Sequence, residues 1–187
     1  MLELLAPAGN LDAVIAAVQN GADAVYMGFG DGFNARRSAD NFTRESFAKA
    51  VRYCHIRGCK VYVTLNTLVG DREMDAAAAL AQQASDAGAD AILVQDLGLA
   101  RVLRAALPDI PLHASTQMSI HNLAGVEAAA EMGITRAVLA RELSLEQIRF
   151  ISQHASIETE VFVHGALCFC YSGQCYMSAL IGRRSGN

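Results

Sequence analysis

The chain has 187 residues, 52% of them hydrophobic and 18% charged, so it can bury a sizeable core and need not form more than one domain. Its net charge is −4, with two lysines beside thirteen arginines, which excludes a bulk basic face of the kind that binds nucleic acid by neutralising phosphates. No apolar run reaches the roughly 18 residues that span a bilayer. The Met-Leu-Glu start also lacks the basic opening of a secretory signal, so the expectation is a cytoplasmic protein with no membrane segment.

Apolar runs of strand length alternate along the chain with amphipathic runs of helix length. The first predicted strand is Glu3 to Pro7, followed by a helix from Leu11 to Gln19, a strand from Ala24 to Gly28 and a helix from Arg44 to Arg57. A strand from Lys60 to Asn66 and a helix from Arg72 to Ala87 come next, then a strand from Ala91 to Gln95 and a helix from Ala100 to Ala106. The series ends with strands Leu112 to Ser115, Ala137 to Ala140 and Glu160 to His164, separated by helices Leu123 to Glu131 and Leu145 to His154. Several helices run into a glycine suited to a left-handed cap, at Gly21, Gly58, Gly88 and Gly133. Gly21-Ala22-Asp23-Ala24 returns as Gly88-Ala89-Asp90-Ala91, 67 positions on, as expected of a repeated βα unit.

Seven strands alternating with six helices predict a TIM-like (β/α) barrel, incomplete with about seven strands, over residues 1–187. A doubly wound sheet is the rival, because alternation alone does not separate a closed sheet from an open one. In either fold the chemistry gathers at the C-terminal ends of the strands. Polar groups stand at most of those ends: Asn66 and Thr67, Gln95 and Asp96, Ser115 to Gln117, Arg141 and Glu142, and His164. Singly each has a structural explanation, Asp96 as a helix cap and Ser144 with Gln147 as a capping box; together they read as a site. The glycines at 28, 30 and 32 match neither the dinucleotide fingerprint nor a phosphate loop with its lysine. They read better as part of a loop that brings Asn34, Arg36 and Arg37 to the rim, where paired guanidinium groups suit an anion.

Five cysteines, an odd number, argue against a disulfide framework and for reduced thiols. Cys54 and Cys59 fall on a helix and its exit, while Cys168, Cys170 and Cys175 crowd into eight residues after the last strand. Soft thiolates there suit zinc or an iron–sulfur centre, although an iron–sulfur cluster needs four sulfurs. A structural zinc held by Cys168, Cys175 and His164 is one alternative, and simple packing of the three cysteines is another.

The stretch Glu160-x-Phe162-x-x-Gly165-Ala166-Leu167-Cys168, continued by Gly173-x-Cys175-x-Met177-Ser178, resembles the signature of the collagenase-like peptidases, peptidase family U32. Leu4-Leu5-Ala6-Pro7-Ala8-Gly9, Tyr26-x-Gly28 and Phe33-Asn34-Ala35-Arg36 carry the same resemblance into the first half. It implies a barrel and a [4Fe-4S] cluster in the full-length protein, with Cys168 and Cys175 as ligands. The remaining ligands would lie downstream of Ser185-Gly186-Asn187, so the chain is expected to be a fragment with an incomplete cluster. Cys170 is expected to be a small buried hydrophobe.

The same resemblance implies two kinds of activity. One is hydroxylation of a tRNA or rRNA pyrimidine, or of a quinone precursor, with prephenate as the hydroxyl source in the tRNA case. The other is the peptidase activity of the family name. The sequence offers neither a His-Glu-x-x-His helix nor a Gly-x-Ser-x-Gly elbow, which disfavours proteolysis. The expectation is therefore an RNA-modifying hydroxylase type of enzyme, with Asn34, Arg36, Asn66, Gln95, Ser115, Gln117, Glu142 and His164 binding a small anionic co-substrate such as prephenate. A peptidase, or a non-catalytic scaffold without the cluster, are the alternatives, and RNA would be gripped locally or through a region beyond these residues.

Overall fold

The central apolar runs form strands whose side chains are buried on both faces, the pattern of a parallel sheet clothed by helices. The computed structural model describes residues 2–30, 32–34, 41–165, 168 and 170–175. Its strands are β1 (Leu5–Pro7), β2 (Ala24–Met27), β3 (Lys60–Leu65), β4 (Ala91–Val94), β5 (Leu112–Ala114), β6 (Arg136–Val138) and β7 (Glu158–Glu160). Between them run α1 (Leu11–Gln19), α2 (Arg44–His55), α3 (Met74–Asp86), α4 (Leu97–Ala106), α5 (Leu123–Glu131) and α6 (Leu145–His154). A short 3-10 turn, Thr116–Met118, follows β5.

The strands pair in parallel and in chain order, β1 through β7, in one sheet. That order excludes the doubly wound rival, in which the direction of winding reverses partway. Side chains facing one way from the strands pack under the helices. Val61 and Val63 meet Phe47, Ala50 and Cys54, while Ile92, Val94 and Leu112 meet Leu99, Ala100 and Leu103. Facing the other way, Ala24, Tyr62, Ala91, Leu93 and Val138 form a second buried cluster with Leu5 and Tyr26. The sheet curls around this inner cluster until Glu3, ahead of β1, reaches Arg136 at the start of β6, with Nη1 to Oε1 at 2.5 Å. The architecture is a seven-stranded half-barrel with its helices outside.

Local chemistry sets the helix boundaries. Asn10, Thr43, Asp96, Asn122 and Ser144 each accept a backbone N–H from the first turn of a helix, and Ser144 with Gln147 completes the capping box. Asp96 lets α4 begin at Leu97, three residues before the predicted start, because its Oδ1 receives the Leu99 N–H at 2.8 Å. The last strand departs furthest from expectation. It covers Glu158–Glu160, not Glu160 to His164, because its ladder with β6 ends at Val138↔Glu160. Val161, Phe162 and Val163 beyond it are exposed, Val163 by 85%. Among the described residues no helix is long and apolar enough to cross a membrane.

Candidate active-site rim

The C-terminal strand ends bring part of the predicted set together. Asn66, just past β3, donates from Nδ2 to Ser115 Oγ at 3.2 Å, and the same hydroxyl accepts the Gln117 N–H at 3.3 Å. Ser115 therefore ties the β3 and β5 ends together while capping the short turn. Gln95 sits half-buried at the end of β4 between them. The second oxygen of Asp96 lies 3.4 Å from the Val69 N–H, which fastens the β3–α3 loop to the same rim.

The loop after β2 places Asn34 differently from expectation. Asn34 is buried, and its Nδ2 donates to Asn41 Oδ1 at 3.0 Å. Both amides lie directly over Gly28, where an added Cβ would stand 2.1 Å from each. Gly28 is required for this close approach, and Asn34 belongs to the base of the loop. Arg36 and Arg37 lie outside the described residues, as do Met177, Ser178 and the Ser185-Gly186-Asn187 end.

The cysteine segment docks on the β5 and β6 ends. Glu142 accepts the Ser172 N–H at 2.5 Å, and its other oxygen lies 3.3 Å from His121 Nε2. The opposite ring nitrogen of His121, Nδ1, donates to the Ser119 carbonyl at 2.6 Å. Against a desolvation that works the other way, backbone N–H groups, Ser172 among them, hold the Glu142 carboxyl below the ordinary carboxylate range. Ser172 is fully buried, although Tyr171 beside it is exposed. Gly173, at φ +74°, lies against the Gln117 carbonyl, where a Cβ would come within 2.4 Å. His164 is exposed at the end of the run that follows β7.

The thiols are unequal. Cys168 is exposed, and the Cys170 backbone together with the Arg141 side chain holds its thiol below the usual range. Cys170 is half-exposed, not the buried hydrophobe expected, and its thiol is raised by hydrogen bonding with Cys175, with Cys168 adding to the effect. Cys54 and Cys59 lie buried in the core under α2, and burial pushes the Cys54 thiol up to about 12. The rim segment thus gathers three soft sulfur donors, the chemistry of a thiolate metal centre. Among the described residues, however, no group of three or more His, Cys, Asp or Glu side chains is arranged to hold a metal ion. The donor type fits an iron–sulfur centre, while the fourth sulfur is not supplied by the two core cysteines.

A second polar group, missed from sequence, fills the N-terminal mouth of the half-barrel. Arg136 donates to Glu3 and, from Nε and Nη2, to Glu158 Oε2 at 2.8 and 2.6 Å; Tyr62 donates to Glu3 Oε1 at 2.9 Å. Burial works to raise the Glu3 carboxyl, but Arg136, Tyr62 and Lys60 hold it down at about 2. Glu160, 3.7 Å from Arg136, is lifted by burial to about 7. His113 is pushed down to about 3 by burial, with Arg136 adding to the effect. The available signal was polar residues at inward positions of buried strands: Tyr62 between two valines, His113 within Leu-His-Ala.

A parallel βα half-barrel with a thiol-rich segment fixed across its C-terminal rim defines the class. The chain belongs to Peptidase family U32, whose model matches residues 9–187. It is 45% identical over 186 residues to the 23S rRNA 5-hydroxycytidine C2501 synthase of Escherichia coli (strain K12), covering 100% of this chain and 28% of that protein. It is 38% identical to the tRNA hydroxylation protein P of the same organism, over 99% of this chain and 41% of the relative. The chain thus spans less than half the length of either. Among solved structures, the U32 peptidase Mk0906 superposes with a TM-score of 0.74 at 19% identity, over 90% of this chain and 71% of that one, which speaks to the fold alone.

Proposed function

We propose that this half-barrel belongs to a cytoplasmic enzyme that hydroxylates a pyrimidine of tRNA or rRNA. The observation that carries the reading is the 45% identity, over the whole chain, to a protein named for rRNA hydroxycytidine synthesis. The thiol segment pinned across the rim supports it, since a cysteine clustered with two others serves better as a ligand than as a lone protease nucleophile.

In this reading Cys168 and Cys175 hold a [4Fe-4S] cluster, with Cys170 within reach of both and a further ligand from outside the described residues. Such a cluster, when bound, supplies one-electron chemistry. The chain's own residues bind and orient. Asn66 and Ser115, already joined to each other, present amide and hydroxyl groups beside Gln95 and Gln117 for a small anionic co-substrate of the prephenate type, and Arg36 supplies its counter-charge. Zinc in place of the cluster is an outcome of the metal analysis below. RNA contact is local, in keeping with the net charge of −4.

The test is the mass of pyrimidine nucleosides in tRNA and rRNA from a deletion strain, together with iron analysis of the anaerobically purified full-length protein. The expected result is one oxygen mass lost from a single nucleoside, restored by the intact gene but not by a Cys175→Ser allele, and bound iron in the purified protein. Unchanged RNA masses together with gelatin cleavage by the purified protein overturn the reading in favour of a peptidase. Stoichiometric zinc without iron overturns the cluster.

A further inference from the structure

Ser172 stands inside the cysteine segment, four residues after Cys168 and three before Cys175, and is 0% exposed while both Cys168 and Tyr171 face solvent. Each of its polar atoms is taken by a residue of the barrel rim. Its N–H goes to Glu142 at 2.5 Å, its carbonyl accepts Ser119 Oγ at 2.5 Å, and its hydroxyl accepts both the backbone N–H and Nε of Arg141, at 3.1 and 3.2 Å. Ser119 reaches it from a left-handed backbone at φ 58°, and Gln174 Nε2 approaches the same Ser119 hydroxyl at 3.4 Å. Gly173, next in line, fits against the Gln117 carbonyl only because it lacks a Cβ. Three side chains from two loops, Ser119 after β5 and Arg141 and Glu142 after β6, converge on one short backbone stretch flanked by thiols.

We propose that Ser172 is a positioning residue that anchors the three-cysteine segment on the rim ahead of metal binding by its thiols, with Glu142 as its principal partner. The inference rests on the reading of Cys168 and Cys175 as ligands. A free segment of this length surrenders conformational entropy when its sulfurs converge on one ion, and anchoring it beforehand lowers that cost. Residues that orient ligands in this way typically change metal affinity by about 10- to 100-fold when removed. Glu142, expected from sequence to touch the co-substrate, is in this account committed to the protein.

The experiment titrates the reduced chain with cobalt(II) and follows the sulfur-to-cobalt charge-transfer absorption, with alkylation of the core thiols Cys54 and Cys59 reporting whether the barrel is intact. Ser172→Ala and Glu142→Ala are expected to weaken cobalt binding by about tenfold or more while Cys54 and Cys59 stay protected. Glu142→Gln, which keeps an acceptor for the Ser172 N–H, is expected to restore most of the affinity. A purely structural serine would lower unfolding midpoints without this split between the two glutamate variants. Unchanged cobalt affinity in both alanine variants overturns the positioning role and leaves the ligands in place. A Cys168→Ser, Cys175→Ser double variant that still gives the wild-type spectrum, or a wild-type chain that gives none, overturns the ligand reading beneath it. If Ser172→Ala exposes the core thiols, the two glutamate variants decide the question alone.

Discussion

Arg136 Nη1 and Glu3 Oε1 meet at 2.5 Å although 133 residues separate them, and the contact joins the segment before β1 to the first residue of β6. The Arg136 side chain is 10% exposed and also holds Glu158, so one guanidinium ties the segment ahead of the first strand to the last strand of the sheet.

Removing one partner of such a pair leaves a stranded charge, and the cost exceeds what the pair itself contributes. Arg136→Ala is expected to destabilise the chain by about 3–5 kcal/mol in urea denaturation. Arg136→Met together with Glu3→Gln, which removes both charges and keeps the volume, is expected to cost far less. Equal losses in the two would show that packing, not charge, dominates at this mouth.

Glu160 sets a pH dependence of definite sign. Its carboxyl is raised to about 7 in the folded chain, so the folded state favours the protonated form. That contribution is fully present below the unfolded value near 4.5 and is lost as pH rises through about 7. Glu3 has the opposite sign: held at about 2, it contributes stability above the ordinary carboxylate range that is lost as pH falls toward 2. Glu160→Gln is expected to stabilise the protein by roughly 1–3 kcal/mol at pH 8. It should also flatten the decline between pH 4.5 and 7, as read from thermal midpoints across that range. An unchanged slope would mean that Arg136 keeps Glu160 ionised when folded.

Gly28→Ala forces a methyl group into the space between Asn34 and Asn41, 2.1 Å from an atom of each. Their 3.0 Å hydrogen bond must break or the loop must shift, at an expected cost of about 1–3 kcal/mol. In an Asn34→Ala background the same substitution should cost less. A full-sized loss there would place the clash elsewhere.

Replacing Arg36 by Ala is expected to weaken prephenate binding in calorimetry while moving stability by under about 0.5 kcal/mol. The contrast with Arg136 is the useful one, since the two guanidinium groups are assigned to different work. Binding that is indifferent to Arg36 would remove the loop after β2 from the co-substrate site.

The helices were legible because capping and periodicity are local. Leu11–Gln19, Leu123–Glu131 and Leu145–His154 begin and end where the sequence places them. The final strand was less legible, because Val161-Phe162-Val163 has strand composition, and what ends the ladder is a neighbouring strand only three residues long. Asn66, Ser115 and Gln117 were found as strand-end polar residues, and the structure joins them. Ser172 and Ser119 were not found, since serines in irregular loop backbone leave no periodic trace. Arg136 was placed just outside its strand, so its inward position, two residues before Val138, went unseen.

Since the order of strands in the sheet repeats their order in the chain, every strand leaving the ribosome finds its neighbour already synthesised, one helix or loop behind it. The half-barrel can therefore be laid down progressively from its N-terminus, without waiting for a distant partner strand. Glu3 is the exception, an early residue whose main partner arrives with β6. In a nascent chain arrested before Arg136 that carboxyl would have Tyr62 and Lys60 but not the guanidinium, and the further fall in its titration once Arg136 is added would time the moment at which the growing sheet curls around on itself.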